Sequence, residues 1–231
     1  MTHRWNKAKY FLVGILMPGI ETAQAGNHLF FNSGLGLATY KSQIVESNDT
    51  NQTIGYALSL DDGEDWSMTF ARELSKTGFT YADSDAKSSI TLALEDTILS
   101  YHLGWVLLGL VFSHGDLTST NQDVDQLNLM SLSQGAYLGF HGELAKSTEV
   151  FLDVIYTTAT KTKDSVQPDT DQPKMGTRMD IFAGGKVNIT KSMVKALLGY
   201  KRRTMDFTVA SKSKKEEQTM TWVGLEIMVP L

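Results

Sequence analysis

The chain has 231 residues, of which 42% are apolar and 20% charged, with no cysteine and a formal net charge of -5. That much apolar and aromatic surface excludes a solvated, disordered coil. The absence of cysteine excludes a disulfide scaffold and a thiolate metal site. The acidic balance argues against non-specific nucleic-acid binding.

Residues 1–25 read as a secretory signal peptide. Arg4, Lys7 and Lys9 give a basic start without an acid. Tyr10 to Ile20 is an apolar run, Pro18-Gly19 breaks it, and Ala23-Gln24-Ala25 supplies a small-x-small cleavage site. The run is well short of the about 20 residues a membrane helix needs. Residues 26–231 then form one domain, and its richest apolar stretch, Trp105 to Phe112, is only strand-length.

From there the pattern is β almost throughout. Apolar and polar residues alternate in segments bounded by Asp, Asn, Gly and Ser. The alternation predicts strands over 28–44, 52–61, 65–75, 88–103, 105–114, 134–145, 148–160, 176–188, 192–208 and 218–230. The split at His102-Leu103-Gly104-Trp105 decides between ten strands and eight or nine. Connections alternate in length. The longer ones are 45–51, 76–87, 115–133, 161–175 and 209–217. The tight ones fall at Asp62-Gly63-Glu64, Gly104, 145–147 and 188–191. Tight turns at one end and longer loops at the other are the pattern of an outer-membrane barrel with periplasmic termini.

Each strand has two faces. The third puts Trp66, Met68, Phe70 and Leu74 on one side, with Arg72 as the exception. The seventh sets Val150, Leu152, Val154 and Tyr156 against Glu149, Phe151, Asp153 and Ile155. A soluble barrel would turn the apolar face inward. Volume argues otherwise: on the order of forty bulky side chains exceed what a small barrel encloses. The apolar face is therefore expected to meet lipid, and a sheet in lipid must close so that no backbone group is left unpaired. The fold class is an all-β, closed antiparallel transmembrane β-barrel of about ten strands, with eight as the alternative.

The signal peptide ending Ala23-Gln24-Ala25, the first strand Ser33-Gly34-Leu35-Gly36-Leu37 and the last strand Gly224-Leu225-Glu226-Ile227-Met228-Val229 resemble the small Gram-negative outer-membrane β-barrels, the opacity and porin-like group. The resemblance implies an outer-membrane location and handling by the secretion and barrel-assembly machinery. It implies an assembly signal at Gly224, Ile227 and Val229. The chain departs from the group in ending Pro230-Leu231 and in carrying Trp222 two residues before Gly224.

The inward parity carries both signs of charge. Expected lumen residues are Glu73, Glu95, Glu143, Glu149, Asp153, Arg178, Asp180, Lys186, Lys195, Lys201, Arg203 and Glu226. They read either as a salt-bridge network plugging the barrel or as a charge-lined pore. His102 and His141 are expected in the lumen and His114 at the outer rim. Ser113 and His114 are adjacent on a strand, point to opposite faces and make no dyad. No Walker loop, dinucleotide fingerprint or zinc motif is present, and the acidic pairs near 61–65, 83–85, 123–125 and 169–171 lack the calcium-loop spacing. No cofactor or metal is expected, and no catalytic group. Tyr56, Trp66, Tyr156 and Tyr200 fit interface girdles, while Tyr137 and Trp222 fall on the inward parity. Lipid and lipopolysaccharide are the expected surroundings, the latter met by the lysines of the 212–217 run. The functional reading is a structural or porin-like barrel, with a surface-binding protein acting through its long loops as the alternative and a hydrolase third.

Overall fold

The structure, a computed structural model, describes residues 28–42, 47–61, 65–80, 87–121, 127–164, 174–190, 193–209 and 212–230. The signal-peptide reading of residues 1–25 lies outside them. Ten strands run β1 His28–Ser42, β2 Ser47–Asp61, β3 Trp66–Thr80, β4 Lys87–Leu103, β5 Val106–Asn121, β6 Leu127–Ala145, β7 Thr148–Asp164, β8 Lys174–Thr190, β9 Val194–Val209 and β10 Lys212–Pro230. Each pairs antiparallel with its sequence neighbours, and β1 pairs with β10 from His28↔Pro230 to Ser42↔Glu216. The sheet is therefore a closed barrel without an edge. The split between β4 and β5 is real: Gly104 holds a φ of 66° at the turn, a backbone region that glycine enters without a Cβ penalty. Among the described residues no helix is long and apolar enough to cross a membrane.

The strands reach further at one end than alternation predicts. The expected loop 76–87 is strand up to Thr80, 115–133 is strand up to Asn121 and from Leu127, and 161–175 is strand up to Asp164 and from Lys174. The expected loop 209–217 is strand from Lys212. These stretches are polar on the outside, which reads as loop. They stay in the sheet because they cover an apolar filling: Leu92, Leu117, Leu129, Met175, Met205 and Phe207 are buried together inside that end of the barrel.

Alternation sorts the side chains as the volume argument requires. Leu35, Leu37, Ile54, Leu110, Leu198, Val223 and Leu225 stand exposed on the outer wall, Leu37 at 71%. An apolar belt this continuous is far larger than a water-facing surface carries and matches the lipid-facing band of a membrane barrel. Tyr56, Tyr156 and Tyr200 lie toward its far edge. Trp66 and Tyr101 pack edge to face at its near edge, ring centroids 4.9 Å apart.

Inside, large and small residues are matched. Trp222 is fully buried and lies against Gly36, where an added Cβ would stand 2.8 Å from Cε3 and 3.2 Å from the Met220 sulfur. Gly34 abuts the same indole. The alternating glycines of Ser33-Gly34-Leu35-Gly36 thus make room for one tryptophan on the neighbouring strand. Gly36→Val is expected to destabilise the folded barrel by about 1–3 kcal/mol through overpacking. The same change in a Trp222→Ala background should cost much less. Urea unfolding of the four proteins, followed by heat-dependent gel mobility, gives the coupling.

Candidate functional site

Closing ten strands leaves a narrow interior, and charged side chains cross it. Arg203 on β9 donates from Nη1 to Glu73 Oε1 on β3 at 2.6 Å, and from Nε and Nη2 to Asp180 on β8 at 2.9 and 2.8 Å. Lys201 donates to Glu73 Oε2 at 2.6 Å. β3 and β9 are separated by β10, β1 and β2 around the ring. Their side chains meet only because they reach across the bore. A second bridge crosses from β8 to β4, where Arg178 donates to Asp96 at 2.8 Å and to Ser113 on β5 at 3.1 Å. Beside them Gln218 donates to Ser75 at 2.7 Å and to Thr53 at 3.3 Å.

The end with the tight turns carries a separate cluster. Lys186 donates to Glu226 at 3.0 Å and Lys195 to Glu149 at 2.7 Å. Between the two ionic layers lie Trp222, Phe151 and Phe182, the last two with ring centroids 5.1 Å apart. Tyr137 donates to Asp153 at 2.5 Å, and His141 Nε2 lies 2.7 Å from the same carboxylate oxygen. His102 Nε2 is 2.6 Å from the Ser67 hydroxyl.

The charges balance layer by layer. Arg178, Lys201 and Arg203 face Glu73, Asp96 and Asp180. Lys186 and Lys195 face Glu149 and Glu226. Balance matters because an unpaired charge in a dry interior is costly, and paired charges with hydrogen bonds are tolerated. The layers are also dry. Lys201 and Trp222 have no accessible surface, and Arg203 and Lys186 have 1%. A water-filled channel beside them would leave them measurably accessible.

Glu73, Glu149, Asp153, Arg178, Asp180, Lys186, Lys195, Lys201, Arg203 and Glu226 all lie buried in this interior. Glu95 does not: its side chain is half exposed on the outer wall, 3.3 Å from Arg72. The inward acid of that strand is its neighbour Asp96. On β4 the inward positions Leu92, Leu94 and Ile98 are more apolar than the outward Thr91, Ala93 and Thr97, so the usual contrast runs backwards there. Glu143 is exposed next to the β6–β7 turn, where a register shift between Glu143 and Ala145 ends the regular ladder. Gly224 faces inward on β10, while Ile227 and Val229 stand on the outer wall opposite Phe31 and Leu29. Glu216 and Gln218 are buried inward residues that alternation within a lysine- and glutamate-rich run does not single out. Of the lysines in that run, Lys215 lies 3.4 Å from Glu217.

On the outside, Arg72, Glu95, His114 and Asp116 form a polar row at the far edge of the apolar belt. His114 lies 3.8 Å from Glu95 and 3.3 Å from Asp116. Ser113 is buried and turned inward toward Arg178. Among the described residues no group of three or more His, Asp or Glu side chains could hold a metal ion.

No protein-family model and no curated protein sequence matches the chain. Solved structures do. The outer membrane protease OmpT of Escherichia coli is similar with a TM-score of 0.55 at 9% identity, over 87% of this chain and 97% of that one. The translocator domain of autotransporter NalP from Neisseria meningitidis follows at 0.49 and 13% identity, over 88% and 89%. Neisserial surface protein A gives 0.41 and 11%, over 86% and 96%. The protein has the fold of the Gram-negative outer-membrane β-barrels.

Arg203→Met should leave Glu73 and Asp180 buried without their bidentate partner. The expected loss is about 3–5 kcal/mol of stability by urea unfolding in detergent. Arg72→Ala, which breaks a half-exposed pair, should leave the midpoint unchanged.

Proposed function

We propose that the protein is an integral outer-membrane barrel with a sealed interior, a wall and surface component and not a diffusion pore. The observation that carries the reading is the pair of ionic bridges spanning the bore, Glu73 to Arg203 and Lys201, and Asp96 to Arg178. A selectivity filter presents one sign of charge to permeating ions. These layers are neutral, hydrogen-bonded and dry, and the apolar filling at the far end adds a second seal. Porin-like passage of solutes would have to displace groups whose exposure without partners is costly.

In this reading the interactions of the barrel lie outside it, with membrane lipid, with lipopolysaccharide, and with whatever meets the segments 81–86, 122–126 and 165–173 between the longer strand ends. Export and insertion fall to the secretion and barrel-assembly machinery, with Gly224, Ile227 and Val229 on the closing strand as the assembly signal. The reading is non-enzymatic. His114 has acidic neighbours, but the adjacent hydroxyl of Ser113 points into the barrel, so no nucleophile faces it from that position.

The folded protein, checked by its heat-dependent gel mobility, is to be inserted into planar lipid bilayers. A silent membrane is the expected result. Discrete, reproducible conductance steps from the wild-type protein would overturn the sealed-barrel reading and restore the porin-like one.

A further inference from the structure

One irregularity on β7 changes what the outer wall presents. Asp153, Ile155 and Thr157 alternate inward, so Lys161 and Lys163 would face the lumen if the strand continued unbroken. It does not. Ser133 pairs with Ala159 and Leu132 with Lys161, which leaves Thr160 as an extra residue between them. A bulge of this kind re-aims the side chains beyond it. Beyond Thr160, Lys161 sits opposite Leu132 and Lys163 opposite Met130, and all four are exposed on the outer wall. The Thr160 hydroxyl donates to the Leu132 carbonyl at 3.1 Å, which helps hold the irregular ladder.

The place matters as much as the turn. Lys161 and Lys163 stand just beyond the apolar belt, above Tyr156 on the same strand. Neither forms an ion pair with a carboxylate among the described residues. Beside them the wall is hollowed. A concavity of about 370 Å³ is lined by Phe112, Leu132, His114, Gln134 and Thr160, among others. It therefore offers an apolar floor on the membrane side and polar groups on the water side. Glu95 also lines it, but its charge is shared with Arg72. An acyl chain against Phe112 and Leu132 would bring an attached head group level with the two lysines.

We propose that this hollow over β5–β7 is a binding site for a phosphate-bearing membrane lipid, with its phosphate held by Lys161 and Lys163. The proposal rests on the outer-membrane reading above and is separable from it. It requires one defined contact on the wall, whereas membrane insertion does not. Lysine suits the role because its ammonium is a strong point charge on a flexible stem and needs no fixed bidentate geometry.

The full folded protein is to be released from detergent micelles doped with diphosphorylated lipid A and weighed by native mass spectrometry. Dephosphorylated lipid A serves as the matched probe. One retained phosphorylated lipid per barrel is expected, and little of the dephosphorylated form. The variant Lys161→Ala/Lys163→Ala should lower retention on the order of tenfold, at about 1 kcal/mol per lysine near a charged membrane surface. Lys161→Arg/Lys163→Arg should restore most of it. Lys41→Ala/Lys76→Ala, on distant parts of the outer wall, should change nothing. Excess inorganic phosphate should not displace the lipid, because the apolar floor contributes to holding it; displacement by phosphate alone would mean a simple anion site and overturn the lipid assignment. Equal loss in the two alanine pairs, or retention indifferent to phosphorylation, would overturn the proposal. All variants must keep the heat-dependent mobility shift. If the wild type lacks that shift, it is the barrel reading that fails.

Discussion

Closure governs this molecule. In hydrocarbon no water is available to satisfy a backbone N–H or C=O, so a spanning sheet cannot have a free edge. Here the edge is removed by pairing β1 with β10 along the full length of β1. Once ten strands are closed, the inner and outer faces have different solvents, and the two-residue period of the strand decides which side chain meets which. The belt of Leu, Ile, Val and Phe on the wall and the charges inside are both consequences of that one geometric act.

Closure also creates the interior problem. Ten strands enclose a space too narrow to be well hydrated and too wide to be filled by small residues alone. The chain fills it in layers. Lys186, Lys195, Glu149 and Glu226 neutralise one another near the tight turns. Trp222, Phe151 and Phe182 form an aromatic layer, with glycines on facing strands making room for the indole. Glu73, Asp96 and Asp180 are matched by Arg178, Lys201 and Arg203 further along. A purely apolar filling would be as stable or more so. What the ionic layers add is position: Arg203 meets Glu73 and Asp180 together only when β3, β8 and β9 are in the observed register. A slip by one residue would turn these charges out into lipid.

The outer surface follows a different logic. Its irregularities occur toward the far edge of the apolar belt, where the surroundings change from hydrocarbon to head groups. The polar row of Arg72, Glu95, His114 and Asp116 lies there, and so does the bulge at Thr160. Charges placed at this depth are tolerated because they reach water and lipid phosphate, and the cost of a lysine on the wall of a barrel falls steeply away from the midplane. The wall is thus uniform where lipid tails meet it and chemically particular where head groups do.

The amino-acid sequence by itself determined the fold class, the strand number and the face assignment of most strands. Alternation is local, a turn such as Gly104 is local, and the excess of bulky residues over enclosed volume is simple counting. It also placed Arg203, Asp180 and Glu73 on the inner face. It did not show that they touch, because the residues lie more than a hundred positions apart along the chain and meet only after the ring closes. Tertiary structure alone decided three further things. The inward acid of β4 is Asp96 and not Glu95, because the far end of the bore is filled by Leu92, Leu94 and their neighbours and reverses the usual contrast between faces. The polar stretches after Thr118 and before Met130 stay in the sheet, because partners on both sides and an apolar filling beneath hold them. Lys161 and Lys163 face outward, because one inserted residue shifts a register that no local pattern records.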